Sequence, residues 1–455
     1  MKDPVRAPHR RISTLDAFCL VVGSMIGSGI FLVPAESARL TGSGTGLLLA
    51  WGIAGGLTVL AAISCAELAV RMPEAGGPYV FLGRAWGPLA GFLYGWGLVA
   101  VVQSGTIAAV AVAFARYLGV LVPAVAGPVE KGVALLVVAL LSFANARGVK
   151  TGTNVQNAMT AGKVAALLLL TAAGLFLALP QATATAGAIP SAPLPLPSPG
   201  LAAGFAGALA FAAAMAGPLF SQSAWTNVTF AGAEVSEPGR SFPIALAGGC
   251  AFVATAYVLA NASYLRLLGW GGVAHAPLDR VGSAAAGVLL PGSGPALMAA
   301  AILVSTFGCV NGLILSGARL WGAMGRDGWL PRSLGELNSR EVPGRALAAQ
   351  AVWSGALVLS GTYGQLLKYV ISAELVLSVL LVLALIRLRR ADPLSVPPFR
   401  AWGYPATPVA YAVGATVIVV LLAIGNPATA GTGLLLFAAG VPVYLAVRGR
   451  KGTGY

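Results

Sequence analysis

The chain has 455 residues, 57% of them hydrophobic and only 9% charged, with a mean hydropathy of +0.84 and a formal net charge of +14. Soluble domains carry about 25% charged residues, so this composition excludes a water-soluble globule and indicates a polytopic membrane protein. With two histidines and four cysteines, no metal cluster or nucleophile–His–acid set can be assembled; this argues against an enzyme, and no cofactor is expected.

A short basic tail, residues 1–14, comes first, without the basic–apolar–small pattern of a cleaved leader. Taking ~20 apolar residues as the length of a spanning helix, we expect about twelve spans, at roughly 15–38, 45–70, 89–118, 131–147, 157–180, 201–231, 242–268, 293–322, 346–362, 367–388, 406–424 and 428–447. Span 1 holds the most informative stretch, Gly23 to Phe31, G-S-M-I-G-S-G-I-F. The apolar run is interrupted at Gly27, Ser28 and Gly29. At membrane depth, irregular backbone is tolerated only where it is buried in protein or lines a cavity. The break therefore marks a place for something small and polar.

The basic residues follow a pattern. Lys2, Arg6, Arg10 and Arg11 precede span 1, Arg71 and Arg84 separate spans 2 and 3, and Arg147 and Lys150 follow span 4. Arg240 follows span 6, a cluster from Arg326 to Arg345 follows span 8, and Arg387 to Arg400 follow span 10. The opposite side carries few, among them Arg39, Arg116, Lys131, Arg266, Arg280 and Lys368. This is the positive-inside pattern. It assigns both termini to the cytoplasm and makes the net charge a topology signal rather than a nucleic-acid surface. Cys19, Cys65, Cys250 and Cys309 all fall inside spans and read as small buried residues.

Three further motifs follow. Ala66 to Tyr79 reads A-E-L-A-V-R-M-P-E-A-G-G-P-Y, a helix end, a glycine turn and a re-entry. Trp225 to Pro243 reads W-T-N-V-T-F-A-G-A-E-V-S-E-P-G-R-S-F-P, and Phe307 to Pro331 contains F-G-C-V-N-G, S-G-A-R and G-R-D-G-W-L-P. In this order and over nearly the whole chain, they resemble the amino acid–polyamine–organocation transporter superfamily, most closely its L-type amino acid transporter branch.

That resemblance implies an all-α fold of the LeuT type: an inverted repeat of five plus five helices, 15–180 and 201–388, then two C-terminal helices, 406–447, and a tail, 448–455. It implies a secondary amino acid transporter in the plasma membrane, an exchanger or proton-coupled, with a polyamine or organic-cation carrier as the alternative. A channel would want charged rings or filter loops, and neither is visible. Spans 1 and 6 occupy corresponding positions, and each should break near the midplane. Span 6 supplies Gly217-Pro218 and then Phe220, Ser221, Gln222 and Ser223. The second half of span 1 would offer free N–H groups and a positive dipole end to a carboxylate, and carbonyls at both breaks would accept from an ammonium. Ile26, Gly27, Ser28, Gly29, Phe220, Ser221, Gln222, Ser223, Ser104 and Glu374 are the expected substrate residues. The competing account for the glycines is close helix packing.

Lys163 lies in span 5, where an ionisable residue is costly. Many sodium-independent members keep a lysine there, its ammonium standing where a sodium ion sits in sodium-coupled relatives. Sodium independence is the implication, with snorkelling as the competing account. Glu374 in span 10 departs from the neutral polar residue more common in L-type carriers. It suits a cationic substrate group, a proton, or a pairing with Gln222; a packing role is equally open. In span 6 the usual F-A-Y-x-G-W run is altered: Ser221 and Gln222 replace the small and aromatic residues, and Ala224 the glycine, which implies a more polar pocket. The hydroxyls of Ser104 and Thr106 either face that pocket or bond their own helix. Trp225, Glu67 and Glu234, with Arg319, are expected at a gate. The loop 120–131 lacks the cysteine that joins some relatives to a heavy chain, so no disulfide-linked partner is expected.

Overall fold

The computed structural model describes residues 12–74, 76–125, 127–147, 153–177, 201–340, 342–361, 363–394, 396–425 and 427–452. The tail before residue 12 and the expected loop at 181–200 lie outside them. The described residues are helical nearly throughout, and among them β-pairing occurs as one bridge between Ile12 and Val235.

Span 1 is two helices, α1 (Thr14–Met25) and α2 (Gly29–Thr41), bent by 44° at the break. A capping box starts α1: Ser13 Oγ accepts from the Asp16 amide at 3.2 Å, and the Asp16 carboxylate accepts from the Ser13 amide at 3.0 Å. Then come α3 (Gly44–Arg71), the short α4 (Pro78–Trp86) and span 3. Gly77, at φ +50°, makes the turn into α4 and lies against Thr229 beyond span 6, so the loop after span 2 packs under that span. Span 3 joins α5 (Pro88–Gly97) to α6 (Gln103–Leu121) through a π-helical turn, Leu98–Val102. Side chains take carbonyls of that wider turn: Trp353 Nε1 donates to Ala100 O at 2.7 Å and Ser104 Oγ to Val99 O at 2.7 Å.

Spans 4 to 6 are α7 (Glu130–Ala146), α8 (Thr153–Phe176) and α9 (Leu201–Ser221), the last followed by the single turn α10 (Asn227–Phe230). Span 7 runs from α11 (Pro238–Pro243) through another π-turn into α12 (Gly249–Ala274). The chain continues through α13 (Val281–Leu289), α14 (Gly294–Arg326), α15 (Gly344–Ser360), α16 (Tyr363–Ala391), α17 (Ala406–Gly425), α18 (Pro427–Ala438) and α19 (Gly440–Gly452).

Among the described residues nine helices are long and apolar enough to cross a membrane, or ten with α1–α2 taken as one bent span. The two other expected spans correspond to Thr160–Phe176 of α8 and to the 17-residue α15. α15, at 17 residues, stands at the lower limit for crossing, while α8 has 24 residues in all, so the expected number of twelve rests on these two elements. The packing is informative about topology. α2 lies on α9, α3 on α12, α6 on α14 and α7 on α15. Each of these contacts joins span n to span n+5, the relation that an internal repeat of five spans creates.

Candidate functional site

The chain leaves the helical path at Ile26, which is extended at φ −75° and ψ 94°. This frees carbonyls at the end of α1, and buried side chains from three helices reach towards the two halves of the span. The Lys163 ammonium of α8 donates to Gly23 O. Tyr257 Oη of α12 donates to Met25 O at 2.9 Å, and Tyr117 Oη of α6 to Phe31 O at 3.1 Å. A buried carbonyl without a partner is costly, so the donors to Gly23 O and Met25 O stabilise the broken form of the span, while Tyr117 ties α6 to the first turn of α2. The first amides of α2, Gly29 and Ile30, have no acceptor inside their own helix by geometry. Ile26 and Ser28 are buried beside them.

The second break is built differently. Pro218 has no N–H, so the carbonyl four residues earlier, Ala214 O, loses its helical donor. Ser37 Oγ of α2 takes it at 2.9 Å. α9 ends at Ser221, the Gln222 amide shares Pro218 O and Leu219 O at 3.2 Å each, and Ala224 turns the chain at φ +67°. A left-handed residue with a Cβ is strained by roughly 1–2 kcal/mol, which explains why the L-type pattern has glycine there.

The two breaks touch. A Cβ built on Gly29 would lie 2.1 Å from Ser221 Oγ, 2.7 Å from its Cβ and 3.1 Å from its Cα. No side chain fits between them. By contrast, a Cβ on Gly27 would meet only Cys309 Sγ, at 3.8 Å. Ser221 Oγ itself donates to Gly217 O at 2.8 Å. Phe220, Ser223 and Trp225 are buried in the same region.

The other expected site residues make contacts of their own. Gln222 is fully buried, and its amide group donates to Trp51 O of α3 at 3.4 Å, while its Oε1 has no partner among the described residues. The Gln222–Glu374 pairing is therefore not formed. Glu374 Oε2 is buried and without a partner among the described residues, with Tyr94 and Tyr411 within electrostatic range. Ser104 and Thr106 bond carbonyls of their own span, Val99 O and Val102 O, at 2.7 Å each. A hydroxyl satisfied by its own helix offers less to a ligand.

Glu67, Glu234 and Arg319 are not brought together. Glu67 is fully buried and is held by Arg389 of α16, by Arg71 Nε at 3.0 Å and by the Ala401 amide at 2.7 Å. Arg389 also stacks on Tyr404, 3.9 Å from the ring centre. Glu234 and Arg319 are exposed. Glu234 contributes its carbonyl, which accepts from the Ile12 amide at 3.0 Å and so ties the start of span 1 to the segment after span 6. Sequence reasoning missed Tyr117, Tyr257 and Arg389. The tyrosines gave no signal beyond a hydroxyl in an apolar helix, and Arg389 read as a topology charge.

A family model described as "Amino acid permease" matches residues 12–447. The chain is 27% identical to the serine/threonine exchanger SteT of Bacillus subtilis, over 98% of both chains. It is 28% identical to the human Asc-type amino acid transporter 1, over 96% of this chain and 82% of that one, and 29% identical to the human large neutral amino acids transporter small subunit 2, over 96% and 80%. With its two span breaks packed against each other and the match running over almost its full length, the chain belongs to the amino acid permease family, a family of membrane transporters and not of enzymes.

Proposed function

We propose that this amino acid transporter is a sodium-independent exchanger of small polar amino acids, working by alternating access between two five-helix repeats, 15–180 and 201–388. The observation that carries the reading is the direct contact of Gly29 with Ser221, which puts the backbone of both breaks at one point. The substrate carboxylate takes the amides opening α2, where the helix dipole favours negative charge. The substrate ammonium takes carbonyls of the unwound segments, and Ser28, Ser221 and Ser223 add hydroxyls. The polar Ser221 and Gln222, in place of small and aromatic residues, favour a short polar side chain. So does the likeness to a carrier named for serine and threonine. The similar proteins are named for amino acids, and nothing in them favours the organic-cation alternative.

Lys163 supports sodium independence: its ammonium already occupies a carbonyl at the end of α1, where a coupling cation would otherwise be held. The distribution of basic residues supports cytoplasmic termini, and the plasma membrane is the location in keeping with an amino acid carrier. The absence of cysteine from 120–131 supports a carrier without a disulfide-linked heavy chain. A proton-coupled mode is the second reading, favoured by the unpartnered buried oxygen of Glu374.

Uptake of radiolabelled L-serine into proteoliposomes tests the proposal. An exchanger saturates, accelerates when unlabelled L-serine is loaded inside, and is unchanged when choline replaces sodium. Uptake that requires sodium would sink the Lys163 reading. Uptake driven by an imposed pH gradient without internal substrate would favour the proton-coupled mode.

A further inference from the structure

Helix α13 starts without a cap. Its N-cap is Arg280 and its third residue is Ser283, the two positions whose side chains commonly satisfy the free amides of a helix start. An N-cap side chain does this by accepting a hydrogen bond, and a guanidinium has donors only. Val281, Gly282 and Ser283 therefore present amides that have no acceptor inside their own helix, and no loop carbonyl or cap side chain takes them among the described residues. Two side-chain donors at the same end also lack partners among the described residues. One is Arg280 Nε, itself buried on a partly buried residue; the other is Ser283 Oγ, on a residue only 6% exposed. The Cα–Cβ bonds of a helix tilt towards its start, so the Ser283 hydroxyl is aimed at the end that Arg280 occupies.

Charge is unbalanced at the same place. The Asp279 carboxylate is committed to Arg39 at 2.8 Å, and Glu130 of α7 to Arg116 of α6 at 2.9 Å. Arg280 lies within electrostatic range of Arg116, Glu130 and Tyr117 but forms no ion pair among the described residues. Two guanidiniums thus share one carboxylate. The stretch 178–200 contains no Asp or Glu that could supply a second.

We propose that the start of α13 binds a small inorganic anion of single charge, such as chloride, held by the amides of the first turn, Ser283 Oγ and Arg280 Nε. The anion supplies the acceptor that an arginine N-cap lacks. It meets the positive end of the helix dipole, and it brings the group of Arg116, Glu130 and Arg280 to neutrality. Gly282, between the two donor side chains, lies against α2: a Cβ there would fall 2.8 Å from Phe31 Cδ1. That close packing favours a monatomic ion over a carboxylate with its carbon chain. The consequence is mechanical. Phe31 is two residues beyond Gly29, and its carbonyl already accepts from Tyr117 of α6 at 3.1 Å. An anion at the start of α13 therefore fastens this helix to α2 and α6 beside the second half of the broken span. The site is separate from the junction of the breaks and does not depend on which amino acid is carried.

The test uses the purified full-length protein. Its unfolding midpoint is followed as sodium chloride replaces sodium gluconate at constant ionic strength. A saturable rise of about 2 °C is expected, and bromide should act like chloride. Ser283→Ala should raise the half-saturating chloride concentration about tenfold, the effect of losing one hydrogen bond to a charged group. Arg280→Gln should abolish the response. Ser283→Asp builds a carboxylate into the first turn, where negative charge is favoured. In gluconate it should be at least as stable as the parent in chloride, and it should no longer respond to chloride. No saturable rise in the parent, or an undiminished chloride response in both Ser283 variants, would overturn the proposal. Acetate that matches chloride at equal concentration would make this a carboxylate site and overturn the assignment to a monatomic ion. If Arg280→Gln does not fold, the parent and the two Ser283 variants decide the matter.

Discussion

The contact of Gly29 with Ser221 makes the sharpest prediction. Gly29→Ala adds one carbon, 2.1 Å from Ser221 Oγ and 2.7 Å from Ser221 Cβ. The hydroxyl rotates away easily, but the Cβ and the Cα at 3.1 Å are fixed to α9. The two breaks must then move apart by about 1 Å to reach ordinary carbon–carbon separations of ~3.5–4.0 Å. Overpacking of this kind costs roughly 1–3 kcal/mol. The same displacement tilts the opening amides of α2 away from the carbonyls of span 6. L-serine affinity should fall at least tenfold, the equivalent of about 1.4 kcal/mol. Gly27→Ala is the internal control, because its new carbon has only Cys309 Sγ at 3.8 Å; it should change neither quantity appreciably. Gly29→Ala combined with Ser221→Gly removes the Oγ and Cβ clashes and should recover part of the stability. A double-mutant cycle would then give a coupling of order 1 kcal/mol. The measurements are thermal unfolding of the purified protein, with and without L-serine, and exchange in proteoliposomes. Unchanged stability and serine affinity in Gly29→Ala would refute the junction of the breaks as the binding site.

Other outcomes follow from the same structure. Glu67→Gln leaves Arg389 and Arg71, nearly buried, without their carboxylate and should destabilise by about 3–5 kcal/mol, read as a large fall in unfolding temperature; a shift near zero would show that these ends of α3 and α16 do not depend on this network. Ala224→Gly relieves a left-handed alanine and should stabilise by about 1 kcal/mol, with exchange retained; a loss of stability would contradict the turn geometry. For Glu374, the Gln variant should alter either the pH profile of exchange or the acceptance of cationic amino acids, and a variant indistinguishable from the parent in both would assign the residue to packing.

Much of the architecture could be read along the chain, for local reasons. A composition with 9% charge admits few classes, and a run of Gly27, Ser28 and Gly29 inside an apolar stretch announces a break wherever the rest of the span lies. Pro218 announces the second in the same way. The destination of Gln222 was not legible. Its backbone position follows from the α9 terminus, but its side chain turned to Trp51 of α3 rather than to Glu374, because the left-handed turn at Ala224 and the packing of α3 on α9 set its direction.

The gate residues divide along the same line. That Glu67 needs a partner is plain from a carboxylate in an apolar helix, since buried charges are paired; that the partner is Arg389, 322 residues away, is not. The same holds for the ion pair of Glu36 on α2 with Lys368 on α16, and for Tyr117 and Tyr257 on the carbonyls of span 1. Membrane class, span positions and the two breaks depend on hydropathy and backbone chemistry within about twenty residues, which a linear reading contains. Which side chains satisfy the groups those breaks expose, and which charges meet across the interior, depends on helix rotation and crossing. Those are set by packing between spans five apart in order, and they exist only once the chain has folded.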